Sequence, residues 1–208
     1  MELLGAAAVA IVACFAAGTI WNVARGRALL RWMQGGLRVL GERTAVRWLG
    51  SSVVELAIRD ARAPFAAVTV IVFLEARDMP WQWAWGRLRG RRDTLIVRGA
   101  LRETPGLELE ALDPASWSGR EAVRRVPPGW GVRGGSAGEL AVHYASAAAL
   151  TAADMLLTQA RSAGLGVQRL SVRRAEPKFE LHLRLPEQRQ PAPEFFQSVR
   201  ALAERTLP

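Results

Sequence analysis

The sequence predicts an α+β protein: an N-terminal transmembrane helix followed by two tandem βαββα units. Three observations lead to that class. The chain opens on an uncharged apolar run of the length that crosses a bilayer core, about 20 residues. Past residue 44 the apolar positions follow the periods of short strands and short helices. The order strand, helix, strand, strand, helix then occurs twice at a nearly fixed offset.

The opening run, Leu3 to Ala24, reads LLGAAAVAIVACFAAGTIWNVA. Residues 1–24 are the expected transmembrane helix, with Trp21 at the end where an amphipathic ring suits the membrane interface. A cleaved signal peptide needs a cation ahead of the apolar stretch, and only Met1 and Glu2 precede this one. After it come Arg25, Arg27, Arg31, Arg38, Arg43 and Arg47, against Glu42 alone. The positive-inside rule then predicts a cell (inner) membrane protein with its N-terminus outside and the bulk of the chain cytoplasmic.

Residues 25–43 read as a basic juxtamembrane amphipathic helix. Leu29, Leu30, Trp32, Met33, Leu37 and Leu40 supply its apolar positions and Gly41 a cap. Arg25, Arg27, Arg31 and Arg38 are the candidate contacts to anionic inner-leaflet lipids. The alternative is that this stretch continues the spanning helix and packs on the domain.

The first α+β unit is expected over 44–126. Ser52–Arg59 alternates weakly, as a strand, and 59–64 is a turn. Ala67–Leu74, AVTVIVFL, is a strand buried on both faces. Asp78 and Pro80 suit the start of a helix with Trp81, Trp85 and Leu88 on one face. Strands follow at Thr94–Arg98 and Leu107–Leu112, the latter with Glu108 and Glu110 outward. Ser118-Gly119-Arg120-Glu121 forms a capping box for a short helix. A Pro/Gly-rich linker is expected over 127–138.

The second unit, 139–208, repeats the order. It has a strand at Leu140–Ala145, a helix from Thr151 to Ala163, strands at Val167–Arg173 and Lys178–Leu185, and a last helix carrying Phe195, Val199 and Leu202. Matching strands start near 67 and 140, 94 and 167, 107 and 179, an offset of about 73 residues. The expected architecture is two ferredoxin-like, split βαβ units with helices on one sheet face.

Composition narrows the chemistry. The net charge is +9, and Lys178 is the one lysine, so the basic character is arginine. An Ala- and Arg-rich composition fits a GC-rich bacterial genome. Cys14 is the one cysteine, which excludes an internal disulfide and a cysteine metal cluster. Gly129-Trp130-Gly131-Val132-Arg133-Gly134 matches G-x-G-x-x-G, but prolines precede it and a strand follows, whereas a dinucleotide site needs a strand before and a helix after. The two histidines, His143 and His182, face away from the apolar sides of their strands. On neighbouring strands they would make a bis-imidazole pair that lacks a third ligand. No catalytic or metal-binding residues and no cofactor are therefore expected.

The densest unusual segment is Pro80–Arg92, PWQWAWGRLRGRR. Trp81 and Trp85 are expected in the core. Trp83, Arg87, Arg89, Arg91 and Arg92 are the candidate partner- or anion-binding residues, since a tryptophan beside guanidinium groups suits phosphates and partner surfaces. Nucleic-acid binding is the weaker expectation, because the open sheet face shows His143, Glu180, His182 and Arg184 in place of stacking aromatics. The sequence thus points to a non-enzymatic, membrane-anchored module that binds a protein partner, assembles a membrane complex or forms a homo-oligomer. A sensor or enzyme for an anionic, phosphorylated ligand, using arginines of 87–102, is the alternative.

Overall fold

A computed structural model describes residues 2–114, 116–135, 139–186 and 190–208. Helix α1 (Glu2–Gln34) is one continuous helix and leads through a 3-10 turn at Leu37–Val39 into strand β1 (Gly41–Leu49). Strands β2 (Val53–Ala61) and β3 (Phe65–Phe73) follow, then helix α2 (Pro80–Leu88), β4 (Thr94–Leu101), β5 (Leu109–Leu112) and α3 (Trp117–Val123). The chain continues through β6 (Gly131–Arg133), β7 (Ala141–Tyr144), α4 (Ala147–Ser162), β8 (Val167–Val172), β9 (Phe179–Arg184) and α5 (Ala192–Glu204).

The nine strands of the described residues join one antiparallel sheet in the order β1-β2-β3-β4-β9-β8-β5-β7-β6. Period-2 alternation divides its faces. On one face Leu56, Val70, Val97, Leu181, Leu170, Ala111 and Val142 lie opposite one another, strand by strand. These residues share one apolar core with Leu29 and Met33 of α1, Leu156 of α4 and Phe195, Phe196, Val199 and Leu202 of α5. Trp32 of α1 packs edge-on to Phe195, with ring centroids 5.4 Å apart, and donates its indole N–H to the Gln190 carbonyl.

The sheet corrects several expectations. The stretch 25–43 is not a separate surface helix. It holds the last turns of α1, the 3-10 turn and the first residues of β1, and its apolar positions Leu29, Met33, Leu37 and Leu40 are buried against the sheet instead of facing lipid. β1 itself was not anticipated. Nor was β6, which lies inside the expected linker; residues 136–138 of that linker lie outside the described residues.

The strand order differs from that of tandem ferredoxin-like units, in which the first and third strands of each unit must be neighbours. Here β3 pairs directly with β4, so α2 is an insertion in a hairpin, and β5 sits elsewhere. Among the described residues only β7–α4–β8 is a split βαβ connection, with β5 between two parallel strands. Helix starts also shift. Ser146 and Ser116 cap α4 and α3, accepting from Ala149 N and Gly119 N, in place of Thr151 and Ser118. Met79, not Asp78, precedes α2, whose Pro80 occupies the first turn.

Candidate functional site

Two polar constellations stand out, one where α1 meets the sheet and one on the sheet face opposite α1, α4 and α5. The first is built where the β1–β2 turn, the end of β3 and the start of β4 meet the middle of α1. Gly18 lies against the Arg77 carbonyl and Asp78 Cα, and Gly26 against the Trp48 ring, so neither position has room for a side chain. One turn on from Gly18, Asn22 is fully buried, where an unpaired amide would be costly. Its Nδ2 donates to Ser52 Oγ (3.2 Å) and to the Glu75 carbonyl (3.0 Å). Its Oδ1 accepts from Arg77 (3.2 Å).

Asp93 completes this seat. Its carboxylate accepts from Arg25 Nε (2.8 Å), from both terminal nitrogens of Arg77 (3.1 and 3.0 Å) and from the Glu75 backbone N–H (2.8 Å). A buried carboxylate is tolerable only with such partners. Its partner Arg25 lies 68 positions away in the chain. Arg25 therefore belongs to a structural ion pair, while Arg27, Arg31 and Arg38 are exposed.

Helix α2 lies beside the seat, and its orientation reverses the expected one. Trp83 turns inward and donates its indole N–H to the buried Glu75 carboxylate, which Arg87 also approaches at 3.4 Å. Trp81 and Trp85, expected in the core, are 55% and 59% exposed, and Leu88 on the same face is 83% exposed. The Arg89 guanidinium stacks over the Trp85 ring at 4.5 Å. Arg92 donates to the carbonyls of Arg87 and Arg91. Trp83 and Arg87 are thus brought together on Glu75, whereas Arg89 and Arg92 stay on the exposed side.

The second constellation is a transverse row. Thr69, Arg98, Glu180, Ser171, Glu110 and His143 lie opposite one another across β3, β4, β9, β8, β5 and β7. Glu110, expected outward in solvent, is fully buried. It accepts from Ser171 Oγ (2.8 Å), Arg173 (2.9 Å) and Arg169 Nε. Glu180 accepts from Arg98 (3.1 Å) and Arg169 (2.8 Å) and contacts His182 Nε2. Burial alone would raise the Glu180 pKa, but the His182 hydrogen bond and the Arg169 and Arg98 charges hold it at about 2. Burial pushes His182 below the ordinary histidine range despite Glu180. Its Nδ1 is buried without a hydrogen-bond partner, so a second ring proton would have no acceptor. Burial thus favours the neutral ring, with the proton on Nε2 toward Glu180.

The two imidazoles do not meet. β8 and β5 separate their strands, which puts β7 and β9 about 14 Å apart at about 4.8 Å per strand, and His182 lies two residues further along than the position opposite His143. The ligand pair entertained from the sequence is thus replaced by a row of cross-strand ion pairs, whose chemistry is to fix the register of β4, β9, β8 and β5. No family model matches the chain, and a search of curated proteins finds none similar to it. One described helix is long and apolar enough to cross a membrane: the stretch Ala8–Gln34 reaches a mean hydropathy of 1.5.

Proposed function

We propose that this chain is a single-pass protein of the inner membrane, N-terminus outside, whose cytoplasmic α+β domain is a non-enzymatic module for binding a protein partner or assembling a membrane complex. The observation that carries this reading is α1. Its exposed N-terminal half, with Val9, Val12 and Phe15 outward, runs without a break into a half that forms part of the domain core. A helix joined to its domain this way presents that domain to partners in one fixed orientation. The arginines after residue 24 supply the inward bias.

The partner-binding part of the reading rests on β1. It is a nine-residue edge strand, exposed from Glu42 to Arg47, with its outer backbone edge unpaired in the sheet. Such an edge accepts an added strand, from a partner or from a second copy. Crosslinking of the full-length protein in native membranes, through a photoreactive residue at Ala45, is expected to give one discrete adduct. Metabolite-dependent turnover by the full chain in nanodiscs would overturn the non-enzymatic reading.

The anionic-ligand alternative has less support. Arg87 is held by Glu75, Arg98 by Glu180, and Arg102 by the Phe65 and Ala61 carbonyls at the far end of β4, so these groups do not converge. A multi-degree stabilisation by a phosphorylated metabolite at millimolar concentration would favour it nonetheless. Nucleic-acid binding would show as an affinity that falls steeply with salt.

A further inference from the structure

The exposed apolar face of α2 lies close to the point where α1 leaves the domain. The contact between Gly18 and Arg77–Asp78 fixes that point, and α2 begins two residues later at Pro80. Asn22 and Arg25 hold α1 at this end of the domain through hydrogen bonds to the Glu75 carbonyl and the Asp93 carboxylate, so the exposed apolar stretch with Val9, Val12 and Phe15 leaves the domain beside α2.

The surface at that end is suited to the interface. Trp81, Trp85 and Leu88 are exposed along one side of α2, with Trp21 exposed on α1. Leu49 and Phe73, at the ends of β1 and β3 beside the same turn, are 44% and 41% exposed. Tryptophan favours the headgroup level, and the guanidinium stacked on Trp85 keeps a cation beside the ring at phosphate depth. Arg89, Arg91 and Arg92 are exposed just past the end of α2.

We infer that α2 is a second membrane contact: its Trp81–Trp85–Leu88 face is seated in the anionic headgroup layer of the same leaflet that α1 enters, and its arginines meet lipid phosphates. The inference rests on the proposed anchoring, and its test separates the two. Full-length protein is reconstituted in vesicles of phosphatidylcholine and phosphatidylglycerol carrying brominated lipid, with a bimane label at one cysteine at a time. The native Cys14 reports the anchor. Leu88→Cys and Arg62→Cys, each with Cys14→Ser, report α2 and the opposite end of the sheet.

Strong quenching is expected at position 14, and at 88 at least about twofold more than at 62, as an interfacial helix requires. Quenching at 88 should fall toward that at 62 when Trp81→Ser and Trp85→Ser are added. Equal quenching at 88 and 62 with position 14 quenched overturns the second contact and leaves the anchor standing. No quenching at 14 overturns the anchor and the inference with it. Quenching at 88 that is unchanged by the two serines overturns the role given to the tryptophans.

Discussion

Leu29→Ala should destabilise the domain by about 2–5 kcal/mol, the range for a buried leucine truncated where the surroundings relax only in part. The upper part of that range applies here. Leu29 is 1% exposed, its neighbour one turn on, Met33, is fully buried, and both face the same apolar sheet surface as α5. Neither the sheet nor α5 can move in readily, because Trp32 is pinned between Phe195, Phe196 and the Gln190 carbonyl. With a urea slope of about 2 kcal/mol/M, a loss of ~4 kcal/mol lowers the unfolding midpoint by roughly 2 M. The assay is urea unfolding of the full chain in mild detergent, followed by tryptophan emission. Ile20→Ala serves as the control: that side chain is 69% exposed on the same helix, and its loss should change stability by less than about 0.5 kcal/mol. If the two variants unfold at the same urea concentration, the C-terminal half of α1 is not part of the core and the argument for a fixed domain orientation fails.

Other outcomes follow from the same contacts. Glu110→Gln should cost about 3–5 kcal/mol, since it takes the buried counter-charge from Arg173 and one of two from Arg169, which keeps Glu180; chemical denaturation checks it. Asp93→Asn should weaken the seat and raise amide exchange in residues 18–25 more than in α4, because Arg25 and Arg77 lose their shared carboxylate. Stability should fall in two steps on acidification. His182 is held below its ordinary range, so the unfolded chain takes up a proton first and stability declines as pH drops below about 6.5; Glu180 adds stability that is complete above its ordinary value of 4.5 and lost as pH falls through about 2. Melting curves across pH should show Glu180→Gln flattening the acid step and His182→Gln the milder one.

Much of the secondary structure was legible because its signals are local. The uncharged run announced α1, and continuous or alternating apolar segments announced β3, β4, β7, β8 and β9. β1 was hidden because an edge strand exposed on both faces carries no burial pattern: Arg43 and Arg47 interrupt its apolar residues as they would in a surface helix. Strand order was out of reach for a different reason. It depends on which non-local pairs satisfy one another, such as Arg98 with Glu180 and Arg169 with Glu110, and single-chain periodicity holds no record of them.

The α2 residues show the same limit at the level of a site. The i, i+4, i+7 spacing of Trp81, Trp85 and Leu88 marks an apolar face but not where it points. Glu75 decides that. A carboxylate buried at the end of β3 draws the indole N–H of Trp83 and the Arg87 guanidinium inward, and the apolar face is left outside. Likewise Asp93 has the composition of a turn residue, and only the arrival of Arg25 and Arg77 makes it a seat for the helix.

The packing of Trp32 against α5 has a consequence for biosynthesis. On the ribosome α1 emerges before any strand exists, while Phe195 and Phe196 are made more than 160 residues later. Until they arrive, Trp32 and Met33 have half of a binding surface, and the first helix to be made is among the last pieces to be locked. A nascent chain stalled ahead of α5 would therefore hold a finished sheet but an open seam, with α1 free to swing against it. Completion of the last helix is the event that fixes α1 rigidly against its domain.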